Sequence, residues 1–237
     1  MSDIKLAVFD MAGTTVKDEN EVEKCFIQAA DQTDLPYLRD DILSMMGWSK
    51  RKVFATLWKK ALPDHPSNLM EKLIDRSYAT FKNILEDHYK TENVVPTIYC
   101  MDIFQELKKR QIKIALTTGF YREVTNIILS RLGWDTNLNK EYISNGNGFI
   151  DVSVASDEVE AGRPEPFMIQ RAMQLLGINN PAEVINIGDT PSDLMAGKKA
   201  GCKYSLAVCN GTHTRQQLEI IPNDGLLEHV GELLKFI

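Results

Sequence analysis

Residues 4–15 have the sequence IKLAVFDMAGTT, from which the rest of the fold can be worked out. The first six residues form a short apolar run rich in strand formers, and the run ends at Asp10. Gly13 and the hydroxyl residues Thr14 and Thr15 then favour a turn. This pattern predicts a buried strand that delivers a carboxylate to the loop after it.

Similar apolar runs recur later in the chain, and amphipathic helical stretches separate the later ones. The runs are 112–116 (IKIAL), 150–154 (IDVSV), 184–187 (VINI) and 204–209 (YSLAVC). Strands that alternate with helices predict an α/β fold, a Rossmann-like, doubly wound parallel sheet covered on both faces. Ligands of such sheets bind beyond the carboxyl ends of the strands, so we expect the functional residues there.

One long segment interrupts this alternation. Residues 17–93 predict successive helices at about 20–33, 38–46, 50–61 and 67–90, without a convincing strand. We therefore predict an α/β core domain made of residues 1–16 and 94–237, with an inserted all-helical cap domain at residues 17–93.

Composition and charge exclude several classes of function. The 237 residues are 43% hydrophobic and 25% charged, which is typical of globular chains. Lys and Arg number 27 against 33 Asp and Glu, so the net charge of −6 gives no global positive field for nucleic acid. The longest apolar runs fall far short of the roughly 20 residues that span a bilayer, so we expect no membrane segment.

The N-terminus and the cysteines indicate the compartment. Charges at Asp3, Lys5 and Asp10 interrupt the region where a signal peptide needs an apolar core, which predicts a cytoplasmic protein. The four cysteines show neither C-x-x-C metal spacing nor a catalytic-thiol pattern, so we expect reduced structural thiols.

Polar signatures follow the predicted strands. Asp10 follows the first strand, Thr118 lies in TTGF after the second, and Asp189 and Asp193 lie in GDTPSD after VINI. Arg163 lies in EAGRPEP, immediately before a helix. A carboxylate nucleophile, a hydroxyl, a cation and a further carboxylate pair form the set that phosphoryl transfer through an aspartyl-phosphate needs.

Charge suggests a role for each residue. Negative phosphoryl oxygens approach the Asp10 carboxylate only if a hard cation bridges them, and Mg²⁺ commonly uses one or two carboxylates. Asp10 and Asp189 are its natural ligands, and Asp193 could hold a metal-bound water or orient the first ligands. Thr118 and Arg163 can bind phosphate oxygens. Taken singly, however, each signal is also typical of a helix cap or a plain turn.

The motifs DMAGTTV, TTGFYRE, EAGRPEP and INIGDTPSD occur in this order, with a helical insert after the first. Together they resemble the haloacid dehalogenase superfamily over nearly the whole chain. The resemblance is greatest to its phosphonoacetaldehyde hydrolase (phosphonatase) branch, in which the first motif has alanine in place of a second aspartate and arginine replaces lysine. Ala12 and Arg163 match that branch. The resemblance implies that the main-chain carbonyl of Ala12 is a further metal ligand.

Ala12 also bears on the reaction. A phosphatase protonates a departing alkoxide, and the second aspartate of D-x-D does this, whereas alanine cannot donate a proton. The phosphonatase branch instead uses a cap lysine that forms a Schiff base, and its M-G-x-x-K motif matches Met46, Gly47 and Lys50. The alternative is that Lys50 belongs to an ordinary solvated charge run. With the motif and Ala12 both present, we favour the imine, and we expect a helix N-terminus and neighbouring cations to lower the pKa of Lys50.

Two positions depart from the phosphonatase pattern, and they bear on the identity of the substrate. Val53 stands where the phosphonatase has a histidine, and Phe120 stands where it has a tyrosine. The leading hypothesis is a Mg²⁺-dependent hydrolase of the C–P bond in a small 2-oxoalkylphosphonate such as phosphonoacetaldehyde. The alternatives are a phosphatase of this superfamily that acts on a small phosphorylated metabolite, and a catalytically silent binding protein. The oligomeric state stays open, with a homodimer as one alternative.

Overall fold

The computed structural model describes residues 4–237, so the first three residues of the predicted core, Asp3 included, lie outside it. The strands are β1 Leu6–Phe9, β2 Lys113–Thr118, β3 Val152–Ala155, β4 Val184–Gly188, β5 Tyr204–Val208 and β6 Gly225–Leu227. The helices are α1 Glu21–Gln32, α2 Arg39–Ser44, α3 Lys50–Ala61, α4 Ser67–Thr91, α5 Cys100–Lys109, α6 Arg122–Leu132, α7 Phe167–Leu175, α8 Pro191–Ala200 and α9 Arg215–Glu219. Short 3₁₀ helices occupy Ser156–Glu158, Pro181–Glu183 and Val230–Phe236.

Across the described residues, the strands form a six-stranded parallel sheet in the order β3-β2-β1-β4-β5-β6. The predicted α/β fold with a parallel sheet is confirmed. Because β1 lies in the middle, all four of its residues are buried, and its end lies between the ends of β2 and β4. The sequence analysis missed β6, a three-residue edge strand that is only partly buried and therefore carries little apolar signal.

Between β1 and α5 the chain is helical, as predicted, and the four helices lie within about two residues of the expected bounds. The long helix α4 packs against both α1 and α3. Their shared core contains three aromatic rings: Phe26 stacks on Phe81 with centroids 4.3 Å apart, and Phe54 meets Phe81 edge-on at 5.6 Å. These rings belong to an apolar core that continues into the sheet and the helices around it.

The two ends of this helical segment run side by side. The Lys17 N–H donates to the Val95 carbonyl (3.0 Å), and the Thr97 N–H donates to the Thr15 carbonyl (2.9 Å). The Thr97 hydroxyl also donates to the Thr14 carbonyl (2.6 Å). The chain thus leaves the sheet and returns to it at one place, next to Asp10.

The longest helix, α4, is too polar for a bilayer. Within residues 4–237, no helix combines the length and the apolar character that crossing a membrane requires.

The stacked ring of Phe81 provides a test of this packing. Phe81 is completely buried, so Phe81→Ala should lower the free energy of unfolding by about 3–5 kcal/mol through lost burial and an unfilled cavity. The measurement is urea unfolding followed by circular dichroism. Phe149→Ala is the matched control, because 43% of that side chain is exposed and its loss should cost far less. Equal effects of the two substitutions would contradict the packing described here.

Candidate active site

The carboxyl edge of the sheet brings the predicted residues together. Asp10 follows β1, Thr118 ends β2 and Asp189 follows β4, while Lys50 arrives from the helical segment as the first residue of α3. All four line one small cavity. Its other lining residues are Ala12, Asp18, Val22, Met46, Gly47, Gly119, Phe120, Thr190 and Thr212. Residues far apart in sequence therefore face one small space.

Arg163 lies beneath this cavity and is 2% exposed. Its Nη1 forms ion pairs with Oδ1 of Asp10 and with Oδ1 of Asp193, the latter at 2.8 Å. Its Nη2 donates to the carbonyl (2.8 Å) and the hydroxyl (2.7 Å) of Thr117. The guanidinium thus joins β1, β2 and α8, and fixes one oxygen of Asp10.

The Asp189 carboxylate is held from two sides. Its Oδ2 accepts the Thr212 N–H at 2.7 Å, and its Oδ1 accepts the Thr14 hydroxyl at 3.3 Å. Gly13 must be glycine here, because its φ is +87° and a Cβ on it would lie 2.3 Å from Oδ2 of Asp189. The turn after β1 therefore fits directly against the second carboxylate.

Asp193 has a structural role in this arrangement. With Thr190 it forms a capping box at the start of α8, in which its Oδ2 accepts the Thr190 N–H (3.1 Å) and hydroxyl (2.5 Å). Its other oxygen, Oδ1, lies in the ion pair with Nη1 of Arg163. Two roles were expected for Asp193, to hold a metal-bound water or to orient the metal ligands. These contacts favour the orienting role.

The carboxylate oxygens of Asp10 and Asp189 are the type of ligand that Mg²⁺ commonly uses. Burial raises the pKa of Asp10 to about 7 against the opposing charge of Arg163, and burial together with Asp193 raises the pKa of Asp189 to about 7. A divalent cation would relieve this excess of buried negative charge. Within residues 4–237, no three His, Cys, Asp or Glu side chains converge as a metal cage. Mg²⁺ needs no such cage, because it is commonly held by one or two carboxylates with water and phosphate.

Lys50 is 5% exposed, although it belongs to the charge run KRK. Its Nζ lies 4.9 Å from the Phe120 ring centroid and 5.6 Å from that of Phe26. Burial lowers the pKa of Lys50 to about 8, against the opposing charge of Asp10 and with a smaller contribution from Arg163. The Lys50 pKa is lowered, as predicted, but the main cause is burial and not the helix N-terminus or the neighbouring cations. The sequence neighbours contribute little, since Arg51 pairs with Glu71 and Asp75 instead.

The loop before Lys50 docks on the sheet edge. The Ser192 hydroxyl donates to the Met46 carbonyl at 2.9 Å in a buried contact. Gly47 has a φ of +84°, and a Cβ there would lie 2.5 Å from the Thr190 hydroxyl. The Met-Gly pair of the M-G-x-x-K motif therefore serves close contact with the loop after β4, and this contact buries the lysine that follows.

Other predicted positions take distinct places. The Thr118 hydroxyl accepts the Phe120 N–H at 3.1 Å, which leaves its proton for another acceptor. Val53 is buried and not among the cavity residues, so the departure at 53 lies outside the cavity. Phe120, the other departure, lines it.

Sequence reasoning missed three residues near the site. Asp18 lines the cavity, and its signal was an acidic residue just before a predicted helix. Thr212 follows β5 and contacts Asp189, with no recognisable motif. His213 is 6% exposed, and burial lowers its pKa against the opposing effects of the Asp193 charge and the main chain of Asp189 and Leu43.

Comparison with known proteins agrees with this architecture. Pyrophosphatase PpaX of Bacillus cereus (strain AH820) is 27% identical over an aligned length of 237 residues, and the alignment covers 99% of this chain and 96% of that protein. A structure from Haemophilus somnus described as a predicted phosphoglycolate phosphatase gives a TM-score of 0.77 at 16% identity, over 99% and 98% of the two chains. A phosphonoacetaldehyde hydrolase-like protein from Oleispira antarctica gives 0.76 at 16% identity, over 99% and 91%. At such identities the two structures bear on the fold alone.

The decisive match is to a family model. The model of the haloacid dehalogenase-like hydrolases covers residues 4–201, which include the ends of β1, β2, β3 and β4 but not β5 and β6. This chain therefore belongs to the haloacid dehalogenase-like hydrolase family.

Proposed function

We propose that this hydrolase cleaves the C–P bond of a small 2-oxoalkylphosphonate such as phosphonoacetaldehyde, through an imine on Lys50 and a phosphoryl group on Asp10. The observation that carries the proposal is the position of Lys50. Its amine shares a cavity with Asp10 and, among the described residues, has no carboxylate within ion-pair distance. A buried lysine without an ion pair is costly to keep charged, so burial favours the neutral amine that imine formation needs.

Imine formation needs a neutral amine, which a pKa near 8 makes available at neutral pH. The Lys50 nitrogen adds to the substrate carbonyl, and loss of water leaves a protonated C=N bond. That cationic group accepts the electron pair of the C–P bond as the bond breaks, and an enamine results. Apolar walls from Val22, Met46 and Phe120 keep competing water away from it.

Asp10 is the proposed nucleophile. Because Arg163 engages Oδ1, Oδ2 is the oxygen left to attack phosphorus. The Thr118 hydroxyl, whose oxygen already accepts a hydrogen bond, can donate to a phosphonate oxygen. Arg163 supports the reaction by orienting Asp10 and by contributing positive charge beneath it.

Ala12 fits this leaving group. It lines the cavity two residues after Asp10 and offers a methyl group where a phosphatase of this family has its acid. An enamine carbon departs from phosphorus without needing a proton at that position, because the iminium nitrogen takes the electron pair. The chemistry of Ala12 therefore supports C–P cleavage over P–O cleavage.

The proposed metal donors are the carboxylates of Asp10 and Asp189 and the Ala12 carbonyl, with Asp193 as the residue that orients them. Bound there, Mg²⁺ would neutralise the phosphonate oxygens as they meet the carboxylate of Asp10.

We also propose that residues 17–93 act as a cap on a core of residues 1–16 and 94–237. The adjacent main-chain segments that join at Lys17 and Val95 support this division. The reaction would need both parts, because the cap supplies the amine and the core supplies the nucleophile.

A phosphatase is the second candidate, and the comparisons favour it over the first. PpaX, the curated relative described above, is a pyrophosphatase by name, and the Haemophilus somnus structure bears the name of a phosphatase. Such an activity would use Asp10, Thr118, Arg163 and Asp189 in the same way, with an acid from elsewhere in the cavity. Lys50 would then have only a binding role.

Lys50→Arg separates the two candidates, because guanidinium cannot condense with a carbonyl. With the wild type, phosphate release from phosphonoacetaldehyde should exceed that from phosphate esters and pyrophosphate, and borohydride should leave a substrate adduct on Lys50. The variant should form no adduct and lose phosphonate turnover by roughly three orders of magnitude or more. Phosphate assays and mass spectrometry provide the two measurements.

The matched control is Lys52→Arg, the same change two residues along α3 at an exposed position. It should keep both the adduct and the turnover. An ester or pyrophosphate as the best substrate, with no adduct on Lys50, would refute C–P cleavage and support the phosphatase.

The lowered pKa of Lys50 can be measured directly. Since only the neutral amine is acylated, labelling of Lys50 by acetic anhydride should rise with pH and reach half its maximum near pH 8. In urea, half-maximal labelling of the same lysine should require a pH of about 10.4, because unfolding restores water around the amine. Peptide mass spectrometry quantifies the label. Identical profiles in the folded and unfolded chain would show that burial does not perturb this amine.

Metal removal tests the carboxylate pair. Dialysis against EDTA should abolish phosphate release, since Asp10 and Asp189 then repel each other and the phosphonate, and added Mg²⁺ should restore it. Circular dichroism must stay unchanged to exclude unfolding. Undiminished activity after rigorous chelation would refute the magnesium assignment.

A further inference from the structure

An imine cycle moves protons as well as electrons, and the following inference rests on the proposed function. One proton is taken up when the carbinolamine hydroxyl leaves as water, and another when the enamine carbon is protonated. Within the described chain, the ionisable residues lining the cavity are Asp10, Asp18, Lys50 and Asp189. Asp10 and Asp189 serve the phosphoryl group and the metal, and Lys50 is the amine. Asp18 is therefore the group available for these protons.

Asp18 is held in place by the first turn of α1. Its Oδ1 accepts the Glu21 N–H at 2.8 Å and the Val22 N–H at 3.3 Å, so it caps the helix. Both hydrogen bonds use the same oxygen. The carboxyl is fixed at the point where the chain passes from the loop of Asp10 into the helical segment, on the wall of the cavity.

Glu21 connects Asp18 to the outside. It lines an outer groove together with Lys24, His88 and Glu92, whereas Asp18 lines the inner cavity. Burial first, and then the neighbouring Glu21 carboxyl, raise the pKa of Asp18 to about 7. Against the effect of burial, the hydrogen bond with Asp18 lowers the pKa of Glu21. At neutral pH one member of the pair can thus carry a proton while the other is ionised.

The charged and titratable groups around Asp18 come from every neighbouring element. They are Glu21 and Cys25 on α1, Lys50 on α3, Tyr89 on α4, and Asp189 after β4. Lys50 provides the positive charge in this set, and it is the group whose chemistry needs an acid.

We infer that Asp18 is the acid–base residue of the imine cycle and that Glu21 exchanges its proton with solvent. As the carbinolamine collapses, the Asp18 carboxyl gives its proton to the departing hydroxyl, which leaves as water while the nitrogen lone pair forms the C=N bond. After the C–P bond breaks, re-protonated Asp18 donates to the enamine carbon. Hydrolysis of the product imine by water then frees the Lys50 amine and returns a proton to the Asp18 carboxylate.

The test measures imine formation separately from C–P cleavage. Asp10→Asn serves as the parent, because it cannot accept the phosphoryl group, and the readout is the rate at which borohydride traps phosphonoacetaldehyde on Lys50. Adding Asp18→Asn keeps a good helix cap but removes the transferable proton, so trapping should slow by about 10²-fold. Adding Asp157→Asn is the control, since Asp157 also caps a helix, through the Arg122 N–H at 3.0 Å, but is exposed and outside the cavity.

A rescue experiment excludes a merely structural role. In Asp18→Gly the lost carboxyl leaves space, so added formate should restore the trapping rate in a concentration-dependent way and should not restore it in Asp18→Asn. Trapping by Asp18→Asn at the parent's rate, or a slowed Asp18→Gly that formate does not rescue, would overturn the assignment. A parent that forms no adduct on Lys50 would instead overturn the proposed function, and this inference with it.

Discussion

The ion pairs of Arg163 fix the arrangement of the side chains at the carboxyl edge of the sheet. Its guanidinium joins Asp10, Asp193 and Thr117, which come from three different elements. A buried ion pair adds little net stability, yet loss of one partner leaves an uncompensated charge that costs about 3–5 kcal/mol. The positions of these groups are thus fixed by the penalty for any other arrangement. Asp10 is oriented as a consequence. Its Oδ1 pairs with Arg163, and its Oδ2 is left for the proposed attack on phosphorus.

The second constraint is the contact of the helical segment with this edge. Gly47 and the hydrogen bond from Ser192 to Met46 seat the loop that precedes α3 against the loop after β4. Asp189 and the residues that receive this loop, Thr190 and Ser192, are therefore close neighbours in sequence. This proximity removes water from around the Lys50 amine, and the resulting pKa near 8 links the packing of the helical segment to the proposed reaction.

Much of the fold could be predicted from local patterns. The five longer strands and the four helices of residues 17–93 have continuous apolar runs or a clear helical period, which local sequence expresses directly. The three-residue edge strand β6 lacks such a run and was missed. In the site, Asp10, Thr118 and Asp189 could be placed because strand ends of a parallel sheet share one edge. Asp18, Thr212 and His213 could not, since their proximity depends on how loops from separate elements meet.

The sequence by itself determined the order of strands and helices and the chemical types at the strand ends, including an alanine where a proton donor is usual. Those properties belong to short segments, and short segments carry them whatever the surroundings. The tertiary structure alone decided that Lys50 is buried while Arg51 and Lys52 are exposed, that Arg163 binds Asp10 and Asp193, and that Asp18 reaches the cavity. Burial and the interactions of charges depend on all neighbouring atoms, and most of those atoms come from distant parts of the chain.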